Sequence, residues 1–202
     1  ILKLAGKPLI QWTIDAALNS TFAKDHCYIS TDCQKIKSIG QKCGARVPFL
    51  RPGAFATDSA TTFDVIKHMI DNLDESFDYI LLLQATSPLR TSKDIDHAIE
   101  ILLKSNCRSI VSVTEADPHL NWQVTFDENQ RLEAFPNLNK RSQDLDKKYI
   151  LNGAIYFSEI DYFLKHKSFL ENETMVYIMD RNRSIDIDIE LKLAELIIKN
   201  HE

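Results

Sequence analysis

Tyr79-Ile80-Leu81-Leu82-Leu83-Gln84-Ala85-Thr86-Ser87-Pro88-Leu89-Arg90 is the stretch that decides the fold. Its first five residues form a continuous apolar run, as expected for a central parallel strand buried on both faces. The run ends abruptly in an amide, two hydroxyls, a proline and a guanidinium. Apolar residues Ile95, Ile99, Leu102 and Leu103 then recur at helical spacing, in a helix begun by Ser92 with Asp94 in its first turn. A buried strand, a polar loop and an amphipathic helix make one α/β unit.

The same alternation extends outward. Ile10, Ile14, Ala17 and Leu18 predict a helix within residues 7–20. His26–Ser30 reads as a short strand ending in Thr31-Asp32. A helix follows with Ile36 and Ile39 on one side and Gly40 and Gly44 near its end. Arg46–Leu50 reads as a strand, and Phe63, Ile66, Ile70 and Leu73 mark a further helix. Ser109–Val113 is a strand. The rhythm then breaks: residues 114–150 are polar, hold no long helix, and contain Trp122, Phe126, Phe135 and Pro136, which suggests a projecting hairpin or arm. Strand Ala154–Phe157, a short helix Ile160–Leu164, strand Met175–Met179 and helix Leu191–Lys199 complete the pattern. The expected fold is α/β, a doubly wound, Rossmann-like, mostly parallel sheet in a single domain over residues 1–202, with an inserted arm at 114–150.

Composition narrows the classes. The 202 residues are 44% hydrophobic and 26% charged, ordinary for a globular chain with a sizeable core. A net charge of −5 disfavours a general nucleic-acid binder but permits a local basic pocket. Cys27, Cys33, Cys43 and Cys107 form no CxxC pair, so reduced thiols and a cytoplasmic location are expected. No apolar run approaches the roughly 20 residues of a membrane span, and no signal peptide is seen. The six histidines show no ligand spacing such as HExxH. The chain opens on Ile1-Leu2-Lys3-Leu4-Ala5-Gly6-Lys7-Pro8-Leu9-Ile10, a loop running into a helix. A sheet of this class usually opens on a strand, so residues are expected before position 1.

In open α/β sheets, ligands bind beyond the carboxyl ends of the strands. The residues just after each strand are therefore the candidates. Gln84 can hydrogen-bond a hydroxyl or a carboxylate. Arg90 can pair with a phosphate or carboxylate, or simply cap or salt-bridge the next helix. In the loop 51–64, Thr61 or Thr62 can be an N-cap, or the free N–H groups and hydroxyls can hold a nucleobase or ribose. Asn152-Gly153-Ala154-Ile155-Tyr156 offers two polar tips and a glycine for close approach, or is a plain strand entry. Ser184-Ile185-Asp186-Ile187-Asp188 alternates apolar and acidic residues. As a strand it puts Asp186 and Asp188 on one face and both isoleucines on the other. Two such carboxylates suit a hard divalent cation such as Mg²⁺, or are the acidic outer face of a half-buried strand.

These motifs together resemble the acylneuraminate cytidylyltransferase (CMP-sialic acid synthetase) family. The resemblance rests on Gly6-Lys7-Pro8-Leu9-Ile10, Ser30-Thr31-Asp32, Arg51-Pro52 with Asp58, Leu83 to Arg90, Asn152 to Tyr156 and Ser184 to Asp188, in order over nearly the whole chain. It implies transfer of CMP from CTP to the anomeric hydroxyl of a sialic acid, with release of pyrophosphate. It implies Mg²⁺ or Mn²⁺ held by Asp186 and Asp188, and Gln84 on the sugar. Arg51 and the loop Ala60–Thr62 are implied on the cytidine, Asn152 and Tyr156 in the acyl-sugar pocket, and Arg141 on the sugar carboxylate. It also implies a homodimer through the 114–150 arm, with an apolar partner side chain such as Phe169 completing each pocket. Ala85 stands where the family usually has Pro, and Lys192 where it usually has Asp. The family's opening strand and Gly-rich triphosphate loop precede the Gly-Lys-Pro-Leu-Ile motif and are not within residues 1–202. Pseudaminic, legionaminic or Kdo-type acids are alternative substrates, and a non-catalytic dimeric nucleotide-binding relic is an alternative class.

Overall fold

A computed structural model of the protein describes residues 1–116, 124–134 and 146–200. Strands β1 (Lys3–Leu4) and β2 (Lys7–Pro8) form a small antiparallel ribbon leading into helix α1 (Leu9–Leu18). Helix α2 (Gln34–Lys42), helix α3 (Thr62–Asp71) and strand β3 (Tyr79–Leu82) follow, then α4 (Ser92–Leu103) and β4 (Ser109–Glu115). A hairpin, β5 (Thr125–Phe126) and β6 (Leu132–Ala134), precedes the long strand β7 (Tyr149–Glu159). The chain closes with α5 (Ile160–His166), β8 (Met175–Ile178) and α6 (Ile187–Lys199).

Among the described residues the main sheet has the order β3-β7-β4-β8. β4 and β8 are parallel, whereas β7 runs antiparallel to both β3 and β4. Strands β3, β4 and β8 therefore point the same way and only β7 opposes them, giving a mixed sheet of Rossmann-like character. Side chains alternate between the two faces. Ile110, Ile155 and Phe157 face one side with Ile95, Ala98, Ile99 and Leu102 of α4. Val111 and Tyr156 face the other with Ile66 of α3 and Phe163 of α5. Helices thus cover both faces, the doubly wound arrangement expected. None of the described helices is long and apolar enough to cross a membrane.

Three expectations need correcting. First, among the described residues Tyr79–Leu82 is not a central parallel strand: it ends the order β3-β7-β4-β8, its one ladder is antiparallel, and Tyr79 is 40% exposed. Second, His26–Ser30 and Arg46–Leu50 meet only at the parallel bridge Tyr28–Arg46. Pro48 has no N–H to extend a ladder. Helix α4 begins at Ser92 with Asp94 in its first turn, as expected, and Thr91 is its cap. Thr91 Oγ1 accepts from the Asp94 N–H while Asp94 accepts from the Thr91 N–H, a reciprocal capping box.

The third correction concerns Ser184–Asp188, which is not a strand. After β8 the chain makes a 3₁₀ turn over Arg181–Arg183, capped by the Asp180 carboxylate on the Asn182 N–H. It then enters α6 at Ile187. Ile185 and Ile187 are both buried, as the alternation required, but against Leu4, Ala194 and Ile198 rather than under a ladder. The Ile187 N–H is taken by the Thr86 carbonyl at 3.0 Å and the Asp186 carbonyl by the Glu190 N–H. Those bonds consume the groups a strand would have offered a neighbour.

Candidate active site

The loop after β3 is locked from within. Arg90 is 2% exposed, and its Nη1 donates to the carbonyls of Gln84 (3.3 Å), Ser87 (3.2 Å) and Ala154 (3.0 Å). Burial pulls its pKa down to about 10, opposed by the nearby Asp94 charge. The guanidinium is therefore turned into the protein, where it ties the loop to β7, and is not presented to a ligand. Ser87, fully buried, donates to the Asn152 carbonyl at 3.2 Å.

β7 breaks its register where it meets this loop. Val111 faces Tyr156 and Val113 faces Leu151, so Asn152 to Ile155 stand opposite Ser112 alone. Such a bulge re-aims side chains and leaves backbone groups unpaired. Ser112 meets that need: its Oγ accepts from the Ile155 N–H at 2.8 Å and donates to Asn152 Oδ1 at 2.6 Å. Asn152 Oδ1 also accepts from the Ala154 N–H, and its Nδ2 donates to Ser184 Oγ at 2.9 Å. Asn152 is 6% exposed, so its amide braces the bulge against the segment that leads to Asp186.

Within the bulge Gly153 has φ +71°, a left-handed conformation that a residue with a Cβ adopts at a cost. A Cβ there would overlap Gln84 Oε1. The Gln84 carboxamide therefore lies directly over the Gly153 backbone, half-buried, at the carboxyl end of β3. Asp186, also half-buried, is the residue before the Ile187 N–H that binds Thr86. Gln84, Gly153 and Asp186 are thus gathered at one end of the sheet by bonds among the 84–90 loop, β7 and the start of α6.

The other candidates fall around this group. Tyr156 lies between Leu82 and Val111, half-buried, with its ring 5.5 Å from that of Phe169, and burial pushes its phenol up. Phe169 is 6% exposed in this chain's own core, which corrects the expectation that it reaches a partner's pocket. The Arg51 N–H binds the Thr31 carbonyl at 2.8 Å, and its guanidinium lies 3.5 Å from Asp32, with Nε buried and unpaired. Ala60 closes a turn onto Thr57. Thr61, not Thr62, caps α3 through a box with Asp64, so the exposed Thr62 hydroxyl is not used by the cap. Arg141, Trp122, Phe135 and the Asp188 side chain lie outside the described residues.

The two-carboxylate strand face expected for a cation is not formed, because Asp186 precedes α6 and Asp188 lies within it. Among the described residues there is no group of three or more His, Cys, Asp or Glu side chains able to hold a metal. The half-buried Asp186 carboxylate, with most coordination positions left to substrate oxygens, still suits Mg²⁺, which is commonly bound by one or two carboxylates plus phosphates. Sequence reasoning missed the part played by Ser112.

The chain matches the family model described as cytidylyltransferase over residues 1–196. It is 35% identical over 191 residues to an N-acylneuraminate cytidylyltransferase of Streptococcus agalactiae serotype III (strain NEM316), covering 93% of this chain and 46% of that protein. It is 37% identical over 201 residues to a CMP-N,N'-diacetyllegionaminic acid synthase of Legionella pneumophila, covering 95% and 84%. The chain thus spans about half the length of the first of these relatives. A structure of CMP:2-keto-3-deoxy-manno-octonic acid synthetase complexed with CTP shares the fold, with a TM-score of 0.71 at 14% identity over 100% of this chain and 91% of that one. With a family match across nearly all of its length and a fold to agree with it, the chain belongs to the cytidylyltransferase family.

Proposed function

We propose that the protein transfers CMP from CTP to the anomeric hydroxyl of a nonulosonic acid, with N-acetylneuraminate the first candidate. The anomeric oxygen attacks the α-phosphorus, the bond to the β-phosphate oxygen breaks, pyrophosphate leaves, and the hydroxyl proton passes to solvent. The observation that carries this reading is the Gln84 carboxamide seated over Gly153 at the carboxyl end of the sheet, on a loop whose Thr86 carbonyl takes the Ile187 N–H next to Asp186. A carboxamide orients a sugar hydroxyl or carboxylate but takes no proton, which suits chemistry that depends on positioning and charge. Asp186 and Asp188 would hold Mg²⁺ or Mn²⁺, which when bound neutralises charge on the phosphate oxygens. Arg51 and the Ala60–Thr62 turn would contact the cytidine, Tyr156 and Arg141 the sugar, and a homodimer would form through the 114–150 arm.

The identity to a legionaminic acid synthase supports a second reading, the same transfer onto a diacetylated nonulosonic acid. Pyrophosphate release by the full-length protein with CTP and N-acetylneuraminate, legionaminate, pseudaminate or Kdo in turn discriminates them. Turnover highest with N-acetylneuraminate is expected. Release with none of the four acids at millimolar concentration, metal present, refutes the function.

A further inference from the structure

Asp94 is a 1%-exposed carboxylate that the reaction above does not use. Its partners come from three separate parts of the chain. On its own helix it accepts from the Thr91 N–H and hydroxyl, at 2.9 and 2.7 Å. From β8 the Tyr177 hydroxyl donates to it at 2.9 Å. From the 3₁₀ turn, 89 residues away in sequence, Arg183 Nε donates to its two oxygens at 3.2 and 3.1 Å. Burial raises its pKa, but these donors outweigh burial and hold the carboxyl below its usual range. A capping box needs only Thr91, so the two additional donors lie beyond what α4 requires.

Arg183 begins the short connection that delivers Asp186. Three consecutive ties hold that connection: Arg183 to Asp94 of α4, Ser184 to Asn152 of the β7 bulge, and the Ile187 N–H to Thr86 of the Gln84 loop. The latter two are neutral hydrogen bonds. The first is the charge-assisted one, to a carboxylate that is itself held by the α4 cap and by Tyr177 of β8. We infer that Asp94 is a positioning residue: through Arg183 it sets where the Asp186 carboxylate stands relative to Gln84, and so tunes cation affinity without touching cation or substrate. This inference rests on the metal reading proposed above.

The test is Mn²⁺ binding to the full-length protein with CTP, read by the loss of free Mn²⁺ EPR signal beyond that caused by the same CTP without protein, alongside turnover. Removing partners that orient a ligand typically weakens metal affinity by about 10–100-fold. Arg183→Gln and Asp94→Asn are expected to weaken Mn²⁺ at least about tenfold, with turnover recovering at saturating Mn²⁺ and Arg183→Lys restoring part of the affinity. Tyr177→Phe, which leaves the Arg183 pair intact, should lower thermal stability yet keep Mn²⁺ affinity within about twofold, by the same reasoning. Arg183 is 40% exposed, so its substitution leaves a folded protein to measure even if Asp94→Asn does not fold. Unchanged Mn²⁺ affinity in Arg183→Gln, with weakened affinity in a parallel Asp186→Asn, overturns the positioning role and leaves the metal reading standing. No change in either overturns the metal reading, and the positioning role with it.

Discussion

Replacing Gly153 by Ala tests the seat of the Gln84 carboxamide. At φ +71° a Cβ costs about 1–2 kcal/mol of backbone strain. The Cβ also overlaps Gln84 Oε1, the far end of a flexible side chain. Gln84 can rotate away, at about 0.5–1.5 kcal/mol for a displaced rotamer. Stiffening of the unfolded chain adds its own cost to folding less, and offsets about 0.4–1 kcal/mol. The net expectation is a loss of about 1–2.5 kcal/mol, which for a chain of this size lowers Tm by roughly 2–10 °C. Function should fall differently. With Gln84 displaced, the sugar loses a partner worth about 1–3 kcal/mol, so its KM should rise about tenfold while the KM for CTP holds. The decisive assay is a double-mutant cycle with Gln84→Ala, in urea unfolding and in kinetics. In that background the added Cβ meets no carboxamide, so only the backbone strain should remain, with a coupling of about 0.5–1.5 kcal/mol. Effects that add within about 0.3 kcal/mol refute the contact. Equal damage to sugar and CTP means that Gln84 serves the nucleotide.

Further outcomes follow from the same geometry. Asp188→Asn should sharply reduce metal-dependent turnover while leaving thermal unfolding nearly unchanged, and full turnover would remove Asp188 from the metal site. The β5–β6 hairpin exposes Val124, Phe126 at 65% and Leu132 at 60%, so a two-fold dimer through the 114–150 arm is expected at micromolar concentration. A monomer by sedimentation contradicts it. Stability should also bracket the Asp94 cluster in pH. Asp94 has a folded pKa below its ordinary 3.8, so its contribution is present above that value and is lost as pH falls through the folded pKa. Burial and the Asp94 charge push Tyr177 from 10 up to about 12, so its contribution is present below pH 10 and lost as pH rises through 12. Denaturant midpoints measured across both limbs check this, and Tyr177→Phe should flatten the alkaline limb.

The sequence by itself determined what short range decides. Helical spacing placed α1 through α5 within a few residues, because each amphipathic face is written in residues one turn apart. The alternation in Ser184–Asp188 correctly called for both isoleucines to be buried, because burial depends on side-chain polarity and not on which backbone partner is at hand. The motifs around Gln84, Asn152 and Asp186 were also legible, and the structure gathers them at one end of the sheet. Tertiary structure decided the rest. Whether Tyr79–Leu82 is central or terminal depends on which strands lie beside it, and β7 is far along the chain. Arg90 read as either a ligand contact or a cap or salt bridge to the next helix, and three carbonyls, of Gln84, Ser87 and Ala154, draw it inward instead. Asp94 read only as an acidic residue in the first turn of a helix, since Tyr177 and Arg183 reach it only after β8 docks on β4. Propensity and periodicity act over one or two turns. The direction of a strand, and the partner of a buried charge, are set by contacts between segments that meet only when the chain has folded.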